Sequence, residues 1–153
     1  MKAILRKTNY IRKPRVTKKR GFSAHSQLEK IATSFPDSQI LKSKGNSFEI
    51  VITLKPTTWS KSYDVKIVFE RYGRVDVYVI NETLQVARNR KKLPHVYSHS
   101  EQRLCLYSVS KEEWNREKLI VSTIIPWTSD WLFYYELWVP NGKWLGGGHD
   151  EYR

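Results

Sequence analysis

The chain has 153 residues, with 27 Lys or Arg against 15 Asp or Glu and a net charge of +12. That length fits one domain able to bury a real core, for which six Trp, nine Tyr and five Phe supply large apolar side chains. No apolar run approaches the roughly 18 residues of a membrane span, and one cysteine excludes an intrachain disulfide, so a cytoplasmic protein without membrane contact is expected.

The charge is uneven. Residues 1–20 carry nine Lys or Arg and no acid, while the other 133 residues hold 18 basic and 15 acidic side chains. A flexible basic tail over 1–20 and a nearly balanced domain over 21–153 follow. This N-terminus lacks the apolar stretch of a signal peptide. Such a tail suits an acidic protein face or nucleic acid, or serves only to solubilise.

From Phe22 onward the periodicity is clear. Ser26 and Glu29 have capping-box spacing, Leu28, Ile31, Ala32 and Phe35 recur at helical intervals, and Pro36 stops a helix of about ten residues. Alternation then marks four strands. Gln39 to Ser43 turns through Lys44-Gly45-Asn46 into Phe48, Ile50, Ile52 and Leu54; Tyr63, Val65, Ile67 and Phe69 turn through Tyr72-Gly73-Arg74 into Val75, Val77 and Val79. With no helical segment between them, these strands form an antiparallel meander.

After Asn81 the pattern lapses for almost thirty residues, a stretch that includes the basic cluster Arg88, Arg90, Lys91 and Lys92. Loops this long within compact domains are commonly functional. Ser110 and Glu113 have the spacing of a second capping box ahead of Trp114 and Leu119. Pro126 opens a further helix whose Trp127, Trp131, Tyr134 or Tyr135, and Trp138 share a core-facing stripe, ended by Pro140. The fold class is α+β: a helix, a four-stranded meander, a long loop and C-terminal helices.

The lone cysteine, Cys105, lies near the end of that loop, ten residues after His95. A thiolate is a strong nucleophile and an imidazole nearby can shift its pKa or accept its proton, so chemistry belongs here; packing as a small hydrophobe between Leu104 and Leu106 is the plainer role. His95, His99, Cys105 and His149 do not have a standard zinc spacing, and neither metal nor cofactor is expected. Gly146-Gly147-Gly148 lacks the context of a phosphate loop and reads as a flexible end, which packing of Trp144 could order.

Several segments carry a resemblance: Pro94-His95-Val96-Tyr97, Leu104-Cys105-Leu106-Tyr107, Trp114, Ile124-Ile125-Pro126-Trp127, Trp131-Leu132, Tyr135-Glu136-Leu137-Trp138 and Gly142-Lys143-Trp144-Leu145-Gly146-Gly147-Gly148-His149. With the element order, they make residues 22–153 similar to ubiquitin-conjugating enzymes, in particular the bacterial branch found in the anti-phage signalling system CBASS. In the eukaryotic family a His-Pro-Asn motif places its histidine ten residues before the catalytic cysteine, as His95 stands to Cys105. The resemblance implies acyl transfer through a thioester on Cys105, with the C-terminus of a cGAS-like nucleotidyltransferase as the carried group and a lysine or another nucleophile as acceptor. The asparagine credited with supporting the oxyanion has no counterpart, since Val96 and Tyr97 follow His95. Tyr97 or a backbone amide would then donate to the oxyanion, or Tyr97 would support the loop, and His95 would act on the chemistry or hold the loop. No nucleotide-binding glycine motif of an adenylating domain occurs in these 153 residues, so a separate activating enzyme is expected to load Cys105, or the acyl group to arrive by another route. A catalytically idle scaffold, a basic nucleic-acid-binding module and a modifier exposing its glycine run are the competing readings.

Overall fold

The structure, a computed structural model, describes residues 20–148. Helix α1 spans Ala24–Ser34 and is followed by β1 (Gln39–Lys44), β2 (Ser47–Leu54), β3 (Tyr63–Phe69) and β4 (Val75–Ile80). Two short strands, β5 (Val96–Ser98) and β6 (Arg103–Leu104), precede a turn of 3₁₀ helix at Ile120–Ser122 and the long helix α2 (Ile124–Trp138). The class is the expected α+β. The basic tail falls almost wholly outside the described residues, as does His149.

The meander forms where alternation places it. Phe48 pairs with Phe69, Ile50 with Ile67, Ile52 with Val65 and Leu54 with Tyr63, so β2 and β3 bury the same face. Phe69, Ile67 and Val65 continue that layer onto Val75, Val77 and Val79 of β4. Against it pack Leu28 and Ile31 from α1, Ile120, and Ile124, Leu132 and Tyr135 from α2.

Three expectations are corrected. The α1 cap is Ser23 rather than Ser26: its Oγ accepts from the Ser26 N–H at 3.1 Å, so the helix starts earlier. The loop after Asn81 contributes β5 and β6, which extend the sheet to six strands in the order β1-β2-β3-β4-β6-β5. No helix forms at Ser110. The Glu113 carboxylate accepts from the Ser108 N–H at 2.6 Å, and Glu112, at φ 50°, leaves the helical region, so the second box spacing produces a turn. One long C-terminal helix therefore stands where two were expected, and it begins at Ile124, ahead of Pro126.

Gln27 is the buried polar joint between the halves of the chain. With no exposed surface, its amide donates to the Lys118 carbonyl at 2.8 Å and accepts from the Ile120 N–H at 2.9 Å. Gln27→Ala strands both groups and opens a cavity, so a loss of about 2–4 kcal/mol is expected in denaturant unfolding. A loss below about 0.5 kcal/mol would show that the joint is slack.

Helix α2 is held by its own polar side. Glu136 accepts from the Ser60 hydroxyl at 2.6 Å and the Tyr63 hydroxyl at 2.9 Å, which pins the β2–β3 loop. Burial, reinforced by Glu136, pushes the Tyr63 hydroxyl pKa up strongly. Burial likewise pushes Tyr135 up to about 12, where its oxygen accepts from the Gln85 N–H at 2.7 Å.

Candidate active site

Cys105 follows immediately after β6 and is half-buried. It lines a cleft of about 470 Å³ whose walls include Glu113, Trp127, Trp131, Tyr134, Trp144 and Gly148. The segment around it is clamped on both sides. The Cys105 N–H donates to the His95 carbonyl at 3.0 Å. Two residues on, the Tyr107 carbonyl accepts from the Tyr97 hydroxyl at 2.8 Å, and the Tyr107 hydroxyl donates to the Val75 carbonyl at 2.9 Å. Burial pushes the Tyr107 hydroxyl pKa up.

His95 sits in the left-handed region at φ 43°, a conformation that costs a residue other than glycine about 1 kcal/mol. The strain aims its carbonyl at two donors, the Cys105 N–H and the Trp131 indole N–H at 3.1 Å. Its ring lies 5.1 Å from Trp144. A Cβ at Gly148 (φ 140°) would stand 2.6 Å from the same ring, so only glycine admits that close approach. Trp144 also packs on Trp131 and Tyr134, and its indole N–H donates to the Gly147 carbonyl at 3.2 Å. The glycine run is thus laid along the cleft by Trp144.

The sequence-derived residues do not all converge. Cys105, His95 and Tyr97 belong to one hydrogen-bonded unit. His99 faces another task, accepting from the Leu93 N–H through Nδ1 at 3.2 Å. Among the described residues no group of three or more His, Cys, Asp or Glu is arranged to hold a metal.

Sequence reading missed the supports. Gln102, at φ 52°, turns β5 into β6, and its side chain accepts from the Leu84 N–H and donates to the Val79 and Glu82 carbonyls. Arg103 reaches Asp76, whose side chain is 8% exposed, at 3.3 Å, and stacks over the Tyr97 ring at 5.2 Å. These polar residues lie in a segment without periodicity, so no pattern in a single sequence marks them. Trp131 and Trp144 do stand in recognisable motifs, yet nothing there tells a core tryptophan from a cleft wall.

A family model for Type II CBASS E2 proteins matches residues 27–151. The chain belongs to that family. No curated protein matches it. Membership assigns the chain to a CBASS anti-phage system as its E2-like component, and the matched span covers the whole cleft just described. The antiparallel sheet flanked by two helices is compatible with an E2-like fold, with a sheet widened to six strands and a single long C-terminal helix. No helix among the described residues is long and apolar enough to cross a membrane.

Proposed function

We propose that this Type II CBASS E2 protein carries an acyl group on Cys105 and transfers it to a nucleophile on a target. The carried group is the C-terminus of a cGAS-like nucleotidyltransferase, delivered by a separate activating enzyme. The observation that supports this most is a cysteine opening onto a cleft while the backbone on both sides of it is pinned. A residue that merely filled the core would need no such cleft.

In the first step the Cys105 thiolate attacks the activated carbonyl carbon. A C–S bond forms as the bond to the leaving group breaks. An amine then attacks the thioester carbonyl: the C–N bond forms, Cys105 leaves as thiolate, and the nitrogen's surplus proton passes to solvent. The Tyr97 hydroxyl donates its hydrogen bond to the Tyr107 carbonyl, which favours loop support over oxyanion donation. His95 acts in this reading as a positioning residue, because its carbonyl holds Cys105 and Trp131 together.

Mass spectrometry of the protein purified from cells expressing its whole operon tests the proposal. A partner fragment linked at Cys105 and released by hydroxylamine is expected; an adduct released by reductant alone would be a disulfide and would sink the thioester. His95→Ala keeps the backbone carbonyl and tests whether the ring, packed on Trp144, holds it in place. Loss of the ring packing should cost about 0.5–1.5 kcal/mol and, if the carbonyl shifts, slow both loading and discharge. Unchanged melting with discharge slowed about 10²-fold would instead make His95 an acid–base or oxyanion group.

A further inference from the structure

The basic cluster Arg88, Arg90, Lys91 and Lys92 has no part in the reaction above, yet the fold fixes it beside the cleft. All four residues are exposed. The Arg90 guanidinium donates through Nε to the Gly142 carbonyl at 2.9 Å, and the Asn89 amide donates to the Asn141 carbonyl at 3.0 Å. These bonds bring exposed Lys143 into the same surface, across a sequence separation of about fifty residues. No acidic residue occurs from Thr83 to Ser100 or from Leu137 to Gly148, so neither segment brings a negative charge to this surface; the nearest acids on the cleft wall are Glu113 and Asp130.

Its position follows from chain geometry. Lys143 directly precedes Trp144, which walls the cleft with Cys105. Lys92 stands three residues before His95, at most about 10 Å along the chain. We propose that this surface docks an acidic stretch of the acyl-donating protein, a few residues ahead of the C-terminus that reaches Cys105. The inference rests on the acyl-carrier reading. An extended donor tail covers about 3.3 Å per residue, so acidic side chains roughly three to six positions before the reacting carboxyl reach the patch. Single-stranded nucleic acid fits less well. Such sites stack bases on aromatic faces, whereas residues 84–93 contain no aromatic and Trp144 is packed among His95, Trp131 and Tyr134.

The test uses the full chain carrying Cys105→Ala, so that it reads binding and not thiol chemistry. Fluorescence anisotropy is followed with three labelled probes: a peptide with four glutamates shortly ahead of a Gly-Gly C-terminus, the same peptide with four lysines, and a ten-nucleotide oligothymidylate. The acidic peptide should bind, with affinity falling about tenfold or more from 50 to 500 mM NaCl, and the lysine peptide should not. Arg88→Glu/Lys91→Glu/Lys92→Glu should weaken the acidic peptide about tenfold or more at 50 mM NaCl. Arg90 is kept because it holds Gly142. Lys30→Glu/Lys42→Glu/Lys44→Glu, on α1 and on β1, the strand at the opposite edge of the sheet, makes the same change in net charge and should weaken it less than twofold. The N-terminal tail is present in every variant and cancels. If the first triple unfolds, the corresponding glutamine triple should still weaken binding about threefold. Equal weakening by both glutamate triples, or none by the first, overturns the proposal, as does a loss confined to the oligothymidylate, which would assign the patch to nucleic acid. Failure of Cys105 to load from any donor would sink the acyl-carrier reading while leaving these binding results intact.

Discussion

On the acyl-carrier reading, Cys105→Ala should abolish the covalent adduct, and conjugation and phage protection in cells carrying the operon should fall to background. The expected loss is about 10³-fold or more, because no other thiol exists in the chain to take over. Alanine is small and apolar enough to leave the half-buried position packed, so melting should hardly move. Cys105→Ser makes the complementary test. A serine hydroxyl is a weaker nucleophile, but an oxyester once formed is less activated towards amines than a thioester. Slow loading and a longer-lived adduct are expected, visible as a covalent species that resists reductant. Full protection from an operon encoding Cys105→Ala would remove the enzymatic reading and favour a scaffold that binds its partner without transferring it.

The second large effect is on Trp131, which is 4% exposed. It stacks on Tyr135 with centroids 5.5 Å apart, touches Trp144, and donates to the His95 carbonyl. Trp131→Ala should cost about 3–5 kcal/mol, the scale for deleting a large buried aromatic. Loading of Cys105 should fall as well, since the cleft loses a wall and the His95 carbonyl loses one of its two donors. Trp131→Phe separates these contributions. It keeps a stacking ring and removes the indole N–H, so a stability loss of about 1–2 kcal/mol is expected. If Trp131→Phe loads Cys105 at the normal rate, the indole hydrogen bond has no positioning role and Trp131 is core alone. Single-turnover loading and denaturant unfolding on the same preparations decide it.

The parts of this molecule that could be read in advance are those governed by periodicity. Ile50, Ile52, Val65, Ile67, Val77 and Val79 alternate along their strands, and alternation has one stable outcome when one face must be buried. The α2 stripe was largely legible, with Trp131, Tyr135 and Trp138 buried, while Trp127 is half-buried on the cleft wall. Capping was less so. Ser26 and Glu29 satisfy a spacing rule, but Ser23 lies one turn earlier and wins the helix terminus. At Ser110 the same spacing failed altogether, because Glu113 found a backbone donor at Ser108 and closed a turn.

The site divides along the same line. The lone thiol, its interval from His95 and the Leu-Cys-Leu-Tyr context stand in the primary structure, and they alone point to Cys105. That Val96 to Leu104 form a hairpin on the sheet edge does not. β5 and β6 have three and two residues, too short to carry a period, and they pair because Gln102 and Arg103 find partners in the loop and strand that precede them. It is the His95 carbonyl that accepts from the Cys105 N–H, and backbone direction leaves no trace in residue type. Sequence by itself determined the α+β class, the meander and the charge division, and it singled out Cys105 as the candidate nucleophile, because each depends on local pattern or unique chemistry. Only the tertiary structure decided which loop residues hold Cys105, and that Arg90 joins the two basic segments beside it, because those contacts link positions far apart in the chain through single hydrogen bonds.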